Sequence, residues 1–436
     1  MLNTRRTDQA SAAREPEWLT CLRQSCELLW PSPATITLEI GEPGRPGRWG
    51  PGRTARDQQD AVGSDFTLVP WSRRAPLLVP PGRRAAAAAV RHYSGARSAA
   101  SRLCVNALSV ALAGGLTNAV LRGRVRVQAP AGIETIEAYL TELMMRDIRV
   151  GMYLGPARAN RKPVLQLLTK SGETVGFAKI GVSPLTSRLV RAERDALTLL
   201  SQADLASITI PQLLHYGVWH GLDVLVLSAL PTWERRRPVT PATLAAAMRE
   251  LAAVGGLRRK TLAESGYLER LRGNLATADQ GTEQAVLMQA LDSLAPSANA
   301  TMLSFGSWHG DWAPWNMAYT GRGLMVWDWE RFTAGVPEGF DALHYWLQTE
   351  VGPQHRDPAA AATDCVAHAP GLLAPFGIGA AQARLTAALY LADVSTRYLV
   401  DRQSQAGAPL GAPGTWLIPA LLGEVARLRA QQNGQH

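Results

Sequence analysis

Apolar positions alternate along much of the first half of the chain and fall at helical spacing along the second. Over residues 133–146, Ile136, Leu140, Leu143 and Met144 share one helical face. Residues 148–154, 162–169 and 174–180 read as three successive strands, with turns at Gly155-Pro156 and Ser171-Gly172. A helix over 186–200 follows, then strands over 208–216 and 222–227 around a turn at 217–221. Beyond the charged connector 234–238, Thr240-Pro241 forms an N-cap and first-turn pair for a helix that Gly255-Gly256 stops. Helical spacing returns over 267–275, 283–294, 342–350, 382–402 and 416–429. A strand-rich part followed by a helix-rich part predicts an α+β protein.

The first 130 residues are harder to read. The pattern predicts a helix over 17–30, a strand over 34–40, short strands over 66–69 and 77–79, and a helix over 83–92 after Pro80-Pro81-Gly82. Residues 41–63 are dense in Gly, Pro and Arg, and predict an exposed or disordered loop. The apolar stretch 103–121 contains Asn106, Asn118 and Gly114-Gly115, which favours a buried helix over a membrane span. No nucleophile, metal cluster or phosphate loop stands out, so residues 1–130 are expected to be an accessory cap with no part in the chemistry.

Composition narrows the classes. The chain has 436 residues, 46% of them hydrophobic, and a net charge of +9. That charge comes almost wholly from arginine, since the lysines are Lys162, Lys170, Lys179 and Lys260. General arginine richness is weak support for nucleic acid, and none is expected as a partner. Cys21, Cys26, Cys104 and Cys365 are too scattered for a disulfide framework or a zinc site. With no secretory signal in the sequence, a cytoplasmic location is expected. Homodimerisation stays open.

The densest chemistry lies in Trp308-His309-Gly310-Asp311-Trp312-Ala313-Pro314-Trp315-Asn316, followed by Val326-Trp327-Asp328-Trp329-Glu330. Pro314 forbids a regular helix, so Asp311 and Asn316 are expected on one loop. Flanking apolar runs around Gly321-Arg322-Gly323 predict a hairpin whose second strand brings Asp328 beside that loop. Two carboxylates and a carboxamide converging in this way suit phosphoryl transfer, which needs an oriented acceptor hydroxyl and hard oxygen ligands for Mg²⁺.

His-Gly-Asp-x-x-x-x-Asn with a downstream hydrophobic-Asp-Trp-Glu resembles the signature of the aminoglycoside phosphotransferase and choline kinase family. The resemblance implies a bilobal protein-kinase-like fold, with Asp311 as catalytic base, Asn316 and Asp328 as metal ligands, and ATP or GTP with Mg²⁺. It makes His309 a structural brace and Asp341 a support for the loop. On this reading residues 131–230 form the β-rich N-lobe and 231–436 the α-rich C-lobe. Lys179, among apolar neighbours on a strand, and Glu193 on the next helix become the ion pair that positions the nucleotide phosphates, with Asp195 as the looser alternative to Glu193. Ser228 and Leu230 belong to the hinge facing the base. The segment 155–161 takes the place of the Gly-rich loop but has one glycine, so Arg158 or Arg161 would supply charge there.

The acceptor is expected to lie against Trp312, Trp329 and the C-terminal helices. A sugar, aminoglycoside, amino alcohol or similar metabolite fits. The other readings are a pseudokinase, a nucleotide-binding regulatory protein, or a protein kinase. The last is disfavoured because Ala313 stands where protein kinases carry a lysine.

Overall fold

A computed structural model describes residues 17–39, 61–72, 75–92, 99–117, 121, 123–298, 301–408 and 410–433. Most of the expected loop 41–63 lies outside the described residues.

The chain begins with α1 (Glu17–Leu29), β1 (Thr35–Glu39), β2 (Ala61–Ser72), β3 (Ala75–Val79), α2 (Arg83–His92), α3 (Ala99–Ala113) and β4 (Gly123–Pro130). It continues with α4 (Ile136–Met144), β5 (Arg149–Leu154), β6 (Pro163–Leu168), β7 (Thr174–Gly181), α5 (Pro184–Leu200), β8 (Ile208–Thr209), β9 (Leu213–Trp219) and β10 (Leu222–Ser228). Every strand but β8 joins one antiparallel sheet in the order β1-β4-β2-β3-β5-β6-β7-β10-β9.

The boundary expected at residue 130 therefore falls inside a continuous sheet. Leu77 and Leu78 of β3 pair with Tyr153 and Met152 of β5. One apolar core also crosses it, packing Leu22, Trp30, Phe66, Leu78 and Val125 with Ile136, Val150, Met152, Leu165 and Ile180.

Three other expectations are corrected. Residues 61–63 are strand, paired with 128–130 of β4, because the polar stretch ends earlier than its glycines indicate. The expected strand 208–216 is two strands in different sheets: Ile208 and Thr209 run parallel to the catalytic hairpin, whereas Leu213–Trp219 edges the main sheet. Pro211, which has no N–H to donate, stands between them. The expected buried helix at 103–121 is α3, and it is amphipathic. Val105 and Leu112 are buried, but Leu103 and Val110 are each 72% exposed.

The second half holds α6 (Pro241–Ala252), β11 (Arg258–Thr261), α7 (Tyr267–Ala276), α8 (Thr282–Ala298), β12 (Met302–Trp308), β13 (Met317–Thr320), β14 (Gly323–Val326) and β15 (Thr333–Pro337). The helices α9 (Phe340–Val351), α10 (Pro358–Leu373), α11 (Ala380–Val400) and α12 (Leu417–Asn433) close it. Its core is built largely from helix faces, with Tyr267, Phe340, Leu389 and Tyr390 fully or almost fully buried. A third cluster joins the halves, packing Val190, Leu197 and Leu225 against Leu244, Trp312 and Trp329. Among the described residues no single helix is long and apolar enough to cross a membrane.

Candidate active site

Strand β7 and helix α5 place the first pair. Ser183 caps α5, and its side chain and that of Thr186 form a reciprocal capping box. The helix then packs on the sheet with Glu193 fully buried. The Lys179 ammonium reaches Glu193 Oε1 at 2.7 Å and Oε2 at 2.6 Å, and Asp328 Oδ1 at 2.6 Å. Asp195 instead pairs with its neighbour Arg194 near the surface. Burial disfavours the Lys179 charge, but the carboxylates of Asp328, Glu193 and Glu330 outweigh it and raise its pKa. Burial would likewise push the Asp328 carboxyl up, yet Lys179 and Lys162 hold it well below the usual carboxylate range.

The hairpin β13–β14 forms as its glycines require, with Met317 opposite Val326 and Thr320 opposite Gly323. Asp328 follows it in the left-handed region, at φ 73°. The loop carrying Asp311 is fixed by hydrogen bonds on all sides. Asp341, at the start of α9, accepts from His309 N at 2.8 Å and Gly310 N at 3.3 Å. Buried His309 lies 3.1 Å from the Trp327 carbonyl through Nε2, and its Nδ1 accepts from Asp311 N at 3.1 Å. Burial lowers its pKa to about 4, so this imidazole is a neutral brace. Asn316 donates through Nδ2 to the Asp311 carbonyl and to Asp311 Oδ2, both at 2.9 Å. With its amide hydrogens committed, what Asn316 has left to offer is a carbonyl oxygen.

Gly310 is required by geometry. Its φ is +82°, and a Cβ there would stand 2.2 Å from the Arg331 carbonyl oxygen. Gly310→Ala is expected to cost roughly 3 kcal/mol of stability. Denaturant titration checks this, and a loss below about 1 kcal/mol would show that the loop yields more easily than its contacts imply.

A cavity of about 810 Å³ joins these groups. Lys179, Glu193, Asp328 and Asp311 line it, as do Ser228 and Leu230 of the hinge segment and Arg158. Asn316 lies directly against Asp311. Arg161, the alternative to Arg158, is 3.5 Å from Glu17 instead.

The tryptophans are a correction. Trp312 and Trp329 are completely buried and face the core between the halves, whereas Trp315 and Trp327 line the cavity. The path of the loop, which spacing does not reveal, decides which ring turns inward. His92, from the region expected to stay apart from the site, also lines the cavity.

Several functional groups were not read from the sequence. Lys162 forms a buried ion pair with Glu330, whose other oxygen accepts from Asn160 Nδ2 at 3.1 Å. The rarity of lysine was the available signal. One carboxylate oxygen from each of Glu193, Asp328 and Glu330 lies within 4.8 Å of the others. This hard-oxygen set fits a Mg²⁺ ion. On the far side, Arg397 donates to the Gly310 carbonyl at 2.5 Å, and Arg331 pairs with Asp401.

A lysine–glutamate pair on a sheet and helix, facing an Asp-Asn loop and a hairpin Asp across one cleft, defines a phosphotransferase of the small-molecule-kinase kind. Residues 169–371 match the model of the phosphotransferase enzyme family. A search among curated protein sequences gives no match. Similar solved structures include an aminoglycoside phosphotransferase in ternary complex with ADP and hygromycin B, at 14% identity, 67% coverage of this chain, 98% of that chain and a TM-score of 0.42. A choline kinase from Streptococcus pneumoniae has 15% identity, 61% and 89% coverage and a TM-score of 0.39. An amicoumacin kinase with AMP-PNP and Ca²⁺ has 14% identity, 63% and 87% coverage and a TM-score of 0.36.

Proposed function

We propose that the protein transfers the terminal phosphoryl group of ATP or GTP to a hydroxyl of a small molecule. The observation that carries this reading is that the phosphate-binding pair Lys179–Glu193, the carboxylate Asp328 and the candidate base Asp311 line a single cavity. Lys179 holds the nucleotide phosphates, and Glu193 keeps its ammonium charged and aimed. Ser228 and Leu230 border the base, and Arg158 adds positive charge at the mouth. Asp328 and Asn316 hold Mg²⁺, which neutralises phosphate charge when bound. Asp311 orients the acceptor hydroxyl and takes its proton. A cytoplasmic location, where magnesium nucleotide is supplied, belongs to the same proposal.

The lining narrows the acceptor. The loop that carries Asp311 contributes Trp315 to the lining, and α9, α11 and the loop after α11 contribute Gln348, Tyr398 and Gln403. Asp401, the other carboxylate on this side, is already committed to Arg331, and Arg397 adds a further positive charge. Little is left to balance an ammonium group. A neutral sugar or polyol is therefore favoured over an aminoglycoside or amino alcohol.

Two measurements test the proposal. Magnesium ATP or GTP is expected to raise the melting temperature, since a ligand at 100 times its Kd adds about 2.7 kcal/mol to the folded state. A panel of polyols, sugars, aminoglycosides and amino alcohols, incubated with labelled nucleotide, is expected to yield phosphorylated product from the uncharged members. Nucleotide binding without transfer to any of them would favour a nucleotide-binding regulatory protein, and no binding at all would favour a pseudokinase.

A further inference from the structure

The N-terminal end of α9 does two separate tasks. Asp341 turns back to the loop backbone, while His344, three residues on and completely buried, reaches the candidate base itself. His344 Nε2 lies 3.1 Å from Asp311 Oδ1, and Nδ1 lies 3.0 Å from the hydroxyl of Tyr390 on α11. Tyr390 is also completely buried. Both ring nitrogens are thus committed, and nothing in the loop motif foretold either contact.

We propose that His344 is a positioning residue for Asp311, held by Tyr390 in the neutral tautomer that carries its proton on Nε2, so that the carboxylate is fixed for the acceptor hydroxyl. This rests on the phosphotransfer reading of the site.

The direction of the chain follows from what each group can do. An ionised carboxylate only accepts, so the nitrogen facing Asp311 must carry hydrogen. A second proton on the ring would place a full charge where no water reaches it, and burial lowers the His344 pKa. The bare Nδ1 then accepts from Tyr390 O–H, and burial raises the pKa of that phenol, keeping it protonated. Asp311 favours a cationic ring and Arg397 opposes it, and burial is the largest of these effects. Asp311 ends with Oδ1 tied to His344 and Oδ2 to Asn316, which leaves the carboxylate plane no free rotation. Transfer breaks the bond between the terminal phosphorus and its bridging oxygen, releases the nucleoside diphosphate, and ends with the acceptor proton on Asp311 and the phosphoryl group on the acceptor oxygen. His344 gives up no proton.

The test uses the full chain labelled with ¹⁵N-histidine, the His344 resonances being assigned by their loss in His344→Gln. At pH 7 without any ligand, one protonated nitrogen, Nε2, is expected, and Tyr390→Phe is expected to keep it, since Asp311 still faces that nitrogen, while moving the bare Nδ1 resonance as its hydrogen bond is lost. An Nδ1–H tautomer or an imidazolium would overturn the proposal. Turnover of magnesium ATP, to water or to an acceptor from the panel, gives the second arm. His344→Phe is expected to lower kcat by about 10²-fold with nucleotide Kd unchanged. His344→Gln, whose amide can still donate to Asp311, should recover most of that loss, whereas His344→Asn, too short to reach it, should not. Wild-type kcat in His344→Phe, or a Gln variant as impaired as Phe, would also overturn it. A wild-type chain without turnover would defeat the phosphotransfer reading, and the resonance arm would still decide the hydrogen-bond chain.

Discussion

Asp311→Asn is expected to lower phosphoryl transfer by about 10³-fold while leaving magnesium-nucleotide affinity nearly unchanged. The carboxylate receives two donors, the His344 Nε2–H and the Asn316 amide, so a carboxamide in its place turns an N–H toward one of them and loses that bond. It also removes the lone pair that takes the acceptor proton. Lys179, Glu193 and Asp328, the phosphate-side groups, make no hydrogen bond to Asp311, so binding should survive. Calorimetry with a non-hydrolysable nucleotide beside a turnover assay separates the two effects. Turnover at the wild-type rate would remove Asp311 from the role of base.

A chain beginning at Gly132 is expected not to fold. The reason is the shared core: Leu22, Leu29, Trp30, Phe66, Leu78, Val125 and Val127 are all but fully buried against the strands and helix that follow residue 132. Losing that cover withdraws roughly 1.5–3 kcal/mol per large side chain, which over seven of them comes to about 10–21 kcal/mol, as large as the 5–15 kcal/mol of net stability a domain typically has. Strand β5 would also lose its β3 neighbour and become an exposed sheet edge. Circular dichroism and size-exclusion chromatography of the truncated chain check this. A soluble monomer that melts like the full chain and binds magnesium nucleotide would show that residues 1–131 are dispensable after all.

The parts of the site that were legible are those that lie close together in sequence or follow a regular element. Asp311, Asn316 and Asp328 sit on one loop and hairpin, and the Lys179–Glu193 pair spans a single strand-to-helix step. The Lys162–Glu330 pair, 168 residues apart, and the His344–Tyr390 contact, 46 apart, depend on how distant elements pack, which no local pattern encodes. In the fold, strands with alternating burial were readable, and a helix such as α2 was predicted over its full extent. Helix α10 escaped notice because it is rich in alanine, with Ala361, Ala362, Cys365, Val366 and Ala369 buried and little polar contrast to mark a face. The tryptophans were misjudged for a related reason: periodicity says that an aromatic is near a loop, not which way the loop turns it.

The ion pairs of the cleft have a consequence for how substrate enters. Lys179 is already saturated by Glu193 and Asp328, and Lys162 by Glu330. On the proposed reading, an arriving nucleotide finds both lysines already paired; its phosphate must displace Asp328 from Lys179, and the carboxylate so released is the one assigned to the metal. Binding is then an exchange of counter-ions, in which anion and cation are taken up together. A nucleotide without its metal would strand Asp328 beside the phosphates, so the resting salt bridge itself discriminates in favour of the magnesium complex.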